Sequence, residues 1–339
     1  MHRLTADARD ERGFSLIEMM VSSVVMLIVL AEAMTAFDHA VRANETVTLL
    51  ADSNQALRSG TQFIVRDLLQ AGWGGDTIRR GIPIPTGTGA TPVNRPSPPG
   101  LSYTFDDTLG VIPAVTPGAS LGPAVSGVAN PTDIVTIMYK DNDPTVDNLP
   151  VSVASDGASM VVPTGMNLMQ GDLVLFTNTS GATAMQEVTR TQGQTVYFET
   201  TDVSNLNQRG AQSGSIMELR TGAAFTGISA TRVKMISYFL DNTTDPDAPR
   251  LVRQENYRTP RAMAGAMDDL QITYDLVDGV TNPTGIENPT DPGPNQIRKV
   301  NLEVGVRSEN MSGQQRKYAR NRVRTQISLR SMSFIDRYE

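Results

Sequence analysis

The chain has 339 residues, a formal charge of −7, 39% apolar and 19% charged residues, and no cysteine. Such a length buries at least one sizeable core, while the acidic balance disfavours non-specific nucleic-acid binding by the whole surface. Disulfides, thiolate zinc sites and cysteine nucleophiles are excluded. The only histidines, His2 and His39, lie in or beside the N-terminal segment, so the rest of the chain lacks material for a Ser-His-Asp triad or a multi-histidine metal site.

Met1 to Gly13 reads as a leader, and Phe14 to Ala31 as one apolar helix with a single charge, Glu18. At about 1.5 Å per residue, this helix spans ~27 Å, close to a hydrocarbon core of roughly 30 Å. A plain signal anchor accounts for the length but not for Glu18, because an acidic side chain inside a membrane helix costs on the order of 3 kcal/mol. A cut after Gly13 would give it a purpose. Phe14 would then carry a free amine four residues from Glu18, and an ammonium from this chain or a neighbour would compensate the carboxylate.

The stretch "GFSLIEMMV" from Gly13 to Val21 resembles the N-terminal signature of type IV prepilins and type II secretion pseudopilins. The resemblance implies cleavage between Gly13 and Phe14 by prepilin peptidase, methylation of the Phe14 amine, and pairing of Glu18 with a subunit's N-terminus during assembly. It further implies a single pass through the inner membrane with a periplasmic head, followed by a place in a cell-surface filament. One departure stands: the leader mixes Arg3, Arg9 and Arg12 with Asp7, Asp10 and Glu11, where family leaders are usually short and basic.

After Ala31 helical spacing continues. Met34, Phe37, Val41, Leu50, Leu57, Ile64 and Leu68 form one stripe, and Gly72, Gly74 and Gly75 end it. The pattern predicts a continuous helix over about 14–72, its first part in the membrane and its second packed on a head. His39 falls within it as an ordinary helix residue. Residues 73–132 follow as a Pro/Gly-rich region, and 82–131 holds half of the twenty prolines, so regular structure should be sparse. Three readings stay open for this stretch: it wraps the head, contacts a neighbour, or is partly disordered.

Residues 133–339 read as a β-rich head. "DIVTIMYK", "GDLVLF", "QTVYFE", "RVKMISYFL", "DDLQITYDLV" and "KVNLEVGVR" are short runs rich in β-branched and aromatic residues. In the last, Val300, Leu302, Val304 and Val306 are expected on one face and Lys299, Asn301, Glu303 and Arg307 on the other, which fits antiparallel sheet with one wet face. The fold class is therefore α+β and pilin-like, a long N-terminal helix on an antiparallel sheet.

Two acidic loops invite calcium, one with Asp141, Asp143 and Asp147, the other with Asp241, Asp245 and Asp247. Neither carries the glycine and distal glutamate of an EF-hand, and turn chemistry accounts for both. The basic run of Arg316, Lys317, Arg320, Arg322 and Arg324 reads as the solvated face of a hairpin. No catalytic residue, metal or cofactor is expected.

Downstream, "RDLLQAGWGG", "GDLVLF", "RVKMISYFL" with "PRLVRQ", "MDDLQITYDLV" and "RTQISLRSMSF" occur in an order similar to PilW-type minor pilins, relatives of the GspJ-type pseudopilins. That likeness implies a non-enzymatic minor pilin that helps initiate a type IV pilus and sits at its tip. Its partners would be other minor pilins, the major pilin, prepilin peptidase and inner-membrane lipid, without nucleic acid. The alternatives are a type II secretion pseudopilin and a membrane-anchored periplasmic binding protein.

Overall fold

The computed structural model describes residues 15–210, 213–289, 293–311 and 318–334. A single helix, α1 (Leu16–Gln70), opens the fold. It closes where the sequence places its glycines: Ala71 donates its N–H to Leu68, and Gly72 takes a positive φ of 72°. The helix leads a double life. Every described side chain from Leu16 to Thr48 is exposed, a length of about 50 Å. From Ser53 onward one face is buried, with Leu57, Ile64 and Leu68 in the core.

Stripe residues Met34, Phe37 and Val41 differ from the packed ones. They are 66%, 69% and 41% exposed, because the head begins only near Ser53 and does not reach them. The side chain of Leu50 lies outside the described residues.

The head is built on antiparallel strands: β1 (Val135–Lys140), β2 (Leu173–Thr177), β3 (Thr183–Glu187), β4 (Ser229–Asp241), β5 (Arg250–Glu255), β6 (Arg261–Ala264), β7 (Met267–Leu276), β8 (Ile297–Met311) and β9 (Tyr318–Ser328). The larger sheet runs β3-β2-β4-β5-β6, with β1 along the other edge of β4. A second sheet runs β7-β8-β9. The helix packs on β8 and β9, and reaches β6 and β1.

The larger sheet is covered on both faces near β1 and β4. Val135, Ile137, Tyr139, Ile236 and Tyr238 join α1 in one core. Their neighbours Met138, Val233 and Met235 point the opposite way, against Ile82, Ile84, Val93, Phe105 and Ile112 of the proline-rich stretch. Two-sided burial explains why β1 and β4 read as nearly unbroken apolar runs.

Of the three readings open for residues 82–131, wrapping is the one observed. The stretch forms two-residue strands such as Ile82–Pro83, paired with Val111–Ile112. Arg95 fixes it to the sheet: its buried guanidinium donates to Thr136 Oγ1 at 3.1 Å and to the carbonyls of Pro117 at 2.6 Å and Thr116 at 2.9 Å. Burial pushes its pKa down to about 10. Proline excludes a long regular ladder here, so short pairings such as Val115–Thr116 on Ile137 and Thr136 share the anchoring with the Arg95 side chain.

The smaller sheet follows the alternation of "KVNLEVGVR" through Val306, and all four apolar residues are buried. Arg307 departs from the expected wet face and is 1% exposed. Pairing with β9 becomes irregular between Arg307 and Met311, and the guanidinium turns inward to lie 4.4 Å from the Tyr318 ring.

Candidate assembly and anchoring site

The candidate site residues lie at the start of α1. Ser15 is its N-cap, extended at φ −69° and ψ 142°, and its carbonyl accepts from Met19 N at 3.1 Å. Glu18 sits in the first helical turn and is exposed, next to Leu16 at 77%, Ile17 at 73% and Met19 at 63% exposure. The positive end of the helix dipole favours an anion at this place. Gly13 and Phe14, the expected cleavage and methylation residues, lie outside the described residues.

By length and composition this helix can cross a membrane. Two hydroxyls on its bare half are satisfied locally: Ser23 donates to Met20 O at 2.8 Å and Thr35 to Ala31 O at 2.9 Å. Among the described residues Glu18 has no such local device. A carboxylate only accepts, and helix carbonyls offer it nothing.

Where the helix meets the head, the structure holds a second acid that the sequence reading passed over. Asp67 lies on the buried stripe between Ile64 and Leu68 and is 1% exposed. Its Oδ2 accepts from Tyr238 Oη at 2.7 Å and from Arg253 Nε at 2.7 Å. Burial, and then the Asp67 charge, hold the Tyr139 and Tyr238 hydroxyls far above the ordinary range. For Arg253, burial opposes the charge, but the hydrogen bond and charge of Asp67 outweigh it and raise the pKa. A carboxylate within an otherwise apolar stripe was the available signal. The distance in sequence to Arg253 hid its partner. A further helix-to-head bond joins Asn321 Nδ2 to Asn54 Oδ1 at 2.6 Å.

The other candidates resolve into internal pairs. In the first acidic loop, Asp141 and Asp143 hold Arg232 at 2.6 and 2.9 Å, and Asp147 holds Lys140 at 2.9 Å. In the second, Asp241 accepts from Thr243 and lies 3.3 Å from Arg250, while Asp245 accepts from Asp247 N. These carboxylates close turns and face cations. Along β9, Arg320 is 2.8 Å from Asp268, Arg322 lies 3.3 Å from Asp269, and Arg324 is 2.8 Å from Glu303. The basic run is a ladder of ion pairs across the small sheet. Arg316 and Lys317 lie outside the described residues. His39 is exposed on the free part of α1.

No curated protein and no solved structure matches the chain at a significant level. Residues 8–31 match the family model described as the prokaryotic N-terminal methylation motif. The motif implies processing by prepilin peptidase and assembly with other pilins. Set at the head of a membrane-length helix that joins an antiparallel β head, it supports a type IV pilin-like structural subunit.

Proposed function

We propose that this chain is a PilW-type minor pilin, a non-enzymatic subunit that helps initiate a type IV pilus and sits at its tip. It enters the inner membrane through the apolar part of α1 with the head in the periplasm, and is cut between Gly13 and Phe14. The Phe14 amine is methylated, and Glu18 pairs with a subunit's N-terminal ammonium as other minor pilins and the major pilin join it. The observation that carries this reading is the long bare half of α1. Its apolar side chains are exposed from Leu16 onward, with one carboxylate in the first turn, and the head covers neither, which supports lipid and neighbouring subunits as their surroundings.

Intact mass and N-terminal analysis of membrane-extracted protein test it. The expected mature chain begins at N-methylated Phe14. A stable Met1 terminus in cells with active prepilin peptidase, or a cut beyond Ala31, would sink the proposal. Recovery in a secretion complex rather than with pilus subunits would move the chain to the related GspJ-type pseudopilins.

A further inference from the structure

A cleft of about 910 Å³ opens on the flank of α1, near the upper end of the roughly 300–1,000 Å³ range of ligand sites. It arises from how the helix covers the larger sheet. Val135, Tyr238, Arg253 and Arg261 form one row across β1, β4, β5 and β6. Asp67 of α1 engages Tyr238 and Arg253, so the helix covers the row up to that point. Beyond it, Glu255, Arg261 and Met263 of the sheet and Phe63 and Arg66 of the helix line the cleft together with Glu187 and Arg258.

Charge in the cleft is laid out unevenly. Arg253 is engaged by Asp67 at 2.7 Å and Glu255 at 3.2 Å, and Arg258 by Asp172 at 2.7 Å. Arg66 is different. It is 58% exposed, lies over the Phe63 ring at 5.4 Å, and stands 3.6 Å from an Asp67 already held by two closer donors. Arg261 is exposed and has no ion pair among the described residues. Deeper in, Glu187 is 5% exposed; its Oε2 accepts from Ser204 N at 3.0 Å, and no cation lies within ion-pair distance among the described residues.

We infer that this cleft receives an acidic peptide segment of a partner subunit, its carboxylates on Arg66 and Arg261 and its backbone N–H groups toward Glu187 and Glu255. The inference rests on the pilin-like reading above, which brings neighbouring subunits alongside α1. The layout favours a peptide over a free anion. Phosphate would meet the two floor carboxylates as well as the rim cations, whereas a peptide carries donors for the floor and acceptors for the rim. Phe63 and Met263 add apolar surface for its side chains.

The test is photo-crosslinking in cells with p-benzoylphenylalanine at Val203, an exposed lining residue, and at Val280, an exposed control in the loop after β7. Adducts are mapped to their peptide, and the mature N-terminus is measured in the same preparation. The expected adduct from Val203 joins another pilin-type subunit at a segment with at least two Asp or Glu residues. It should fall at least tenfold in the double variant Arg66→Gln, Arg261→Gln, while any Val280 adduct is unchanged. A chain that begins at Phe14 yet gives no Val203 adduct, a lipid adduct, a non-acidic segment, or a yield indifferent to the double variant overturns the cleft alone. A chain still beginning at Met1 overturns the pilin-like reading together with it.

Discussion

The helix α1 carries an acid near each end, and the two are handled in opposite ways. Asp67 is enclosed: a tyrosine hydroxyl and a guanidinium from the chain's own sheet compensate it. Glu18 stands on a bare helix, with none of its own head within reach. One carboxylate is a completed internal contact, and the other, among the described residues, touches nothing of the head. The apolar residues divide the same way, Leu57, Ile64 and Leu68 inside and Leu16 to Leu30 open. A helix that is apolar all round is stable only when something else surrounds it. Fold stability should therefore respond at the packed end, and assembly at the free end.

The largest effect on stability is expected at Asp67. Breaking a buried pair costs about 3–5 kcal/mol; here Arg253 keeps Glu255 at 3.2 Å, while the buried Tyr238 hydroxyl loses its acceptor, which places the loss near the lower end of that range. Asp67→Ala should lower the urea midpoint of the head by a corresponding amount, followed by near-ultraviolet circular dichroism in detergent. A loss below about 1 kcal/mol, the value of an exposed pair, would show that Arg253 and Tyr238 find other partners and that the enclosed end is not special.

Gly60 offers a milder probe of the same interface. A Cβ there would sit 2.6 Å from Met267 Cε and 3.0 Å from Leu251 Cδ2, so an alanine requires the ends of these two packed side chains to shift. Overpacking costs about 1–3 kcal/mol, and alanine returns up to about 1 kcal/mol of helix propensity. Gly60→Ala should thus destabilise the head by about 1 kcal/mol in the same urea assay. A stabilised variant would mean that the packed half of the helix has room to shift.

Acid pH should separate the head's carboxylates into two groups. Burial raises the pKa of Asp133, Glu187 and Asp268, in the last case despite Arg320 at 2.8 Å. For these the folded state holds the proton more tightly, so stability falls as pH climbs from the unfolded value, near 3.8 for Asp or 4.5 for Glu, through the raised one. Asp278 behaves oppositely. Hydrogen bonds from Thr281, Asn282 and Val280 lower its pKa, so its contribution is present above about 3.8 and is lost as pH falls through the lowered value. Urea midpoints should hold or rise slightly on going from neutrality toward about pH 4.5, then drop in stronger acid. A steady decline from pH 7 would mean that charged rather than neutral carboxylates hold the interior.

Much of this division is legible in the sequence, for unequal reasons. The helix reads through to Gln70 because its period persists whether lipid or sheet surrounds it. The strands read because β1, β4, β7 and β8 carry unbroken or alternating apolar runs. Arg307 misleads because its strand loses regular pairing just where the alternation would have held it outward. Residues 82–131 stay opaque since Ile82, Val93, Phe105 and Ile112 enter the core from loops and two-residue strands too short to show a period, tied by Arg95 to carbonyls that no motif announces. Asp67 and Arg253 lie far apart in sequence, and two short motifs at such a distance do not signal each other. Gly13, Phe14 and Glu18 are the reverse case, legible as a motif, with the first two outside the described residues.

The smallest expected effect on the head is that of Glu18→Gln, and it is the most informative. The side chain is exposed in the first turn of α1, and the packed region begins more than thirty residues later, so head stability should not change within about 0.5 kcal/mol. Membrane insertion should ease, since removing the charge relieves a cost on the order of 3 kcal/mol. Cleavage should persist because Gly13 and Phe14 are untouched. What should fall is incorporation: a glutamine cannot pair as an ion with an N-terminal ammonium, so co-purification with related pilins and filament number should drop at equal protein level. Asp67→Ala sharpens the reading, because it should lower protein level and filaments together through the head. If Glu18→Gln leaves partner recovery and filaments normal, the free-end carboxylate is a tolerated passenger. The contrast between the two ends would then be one of burial alone.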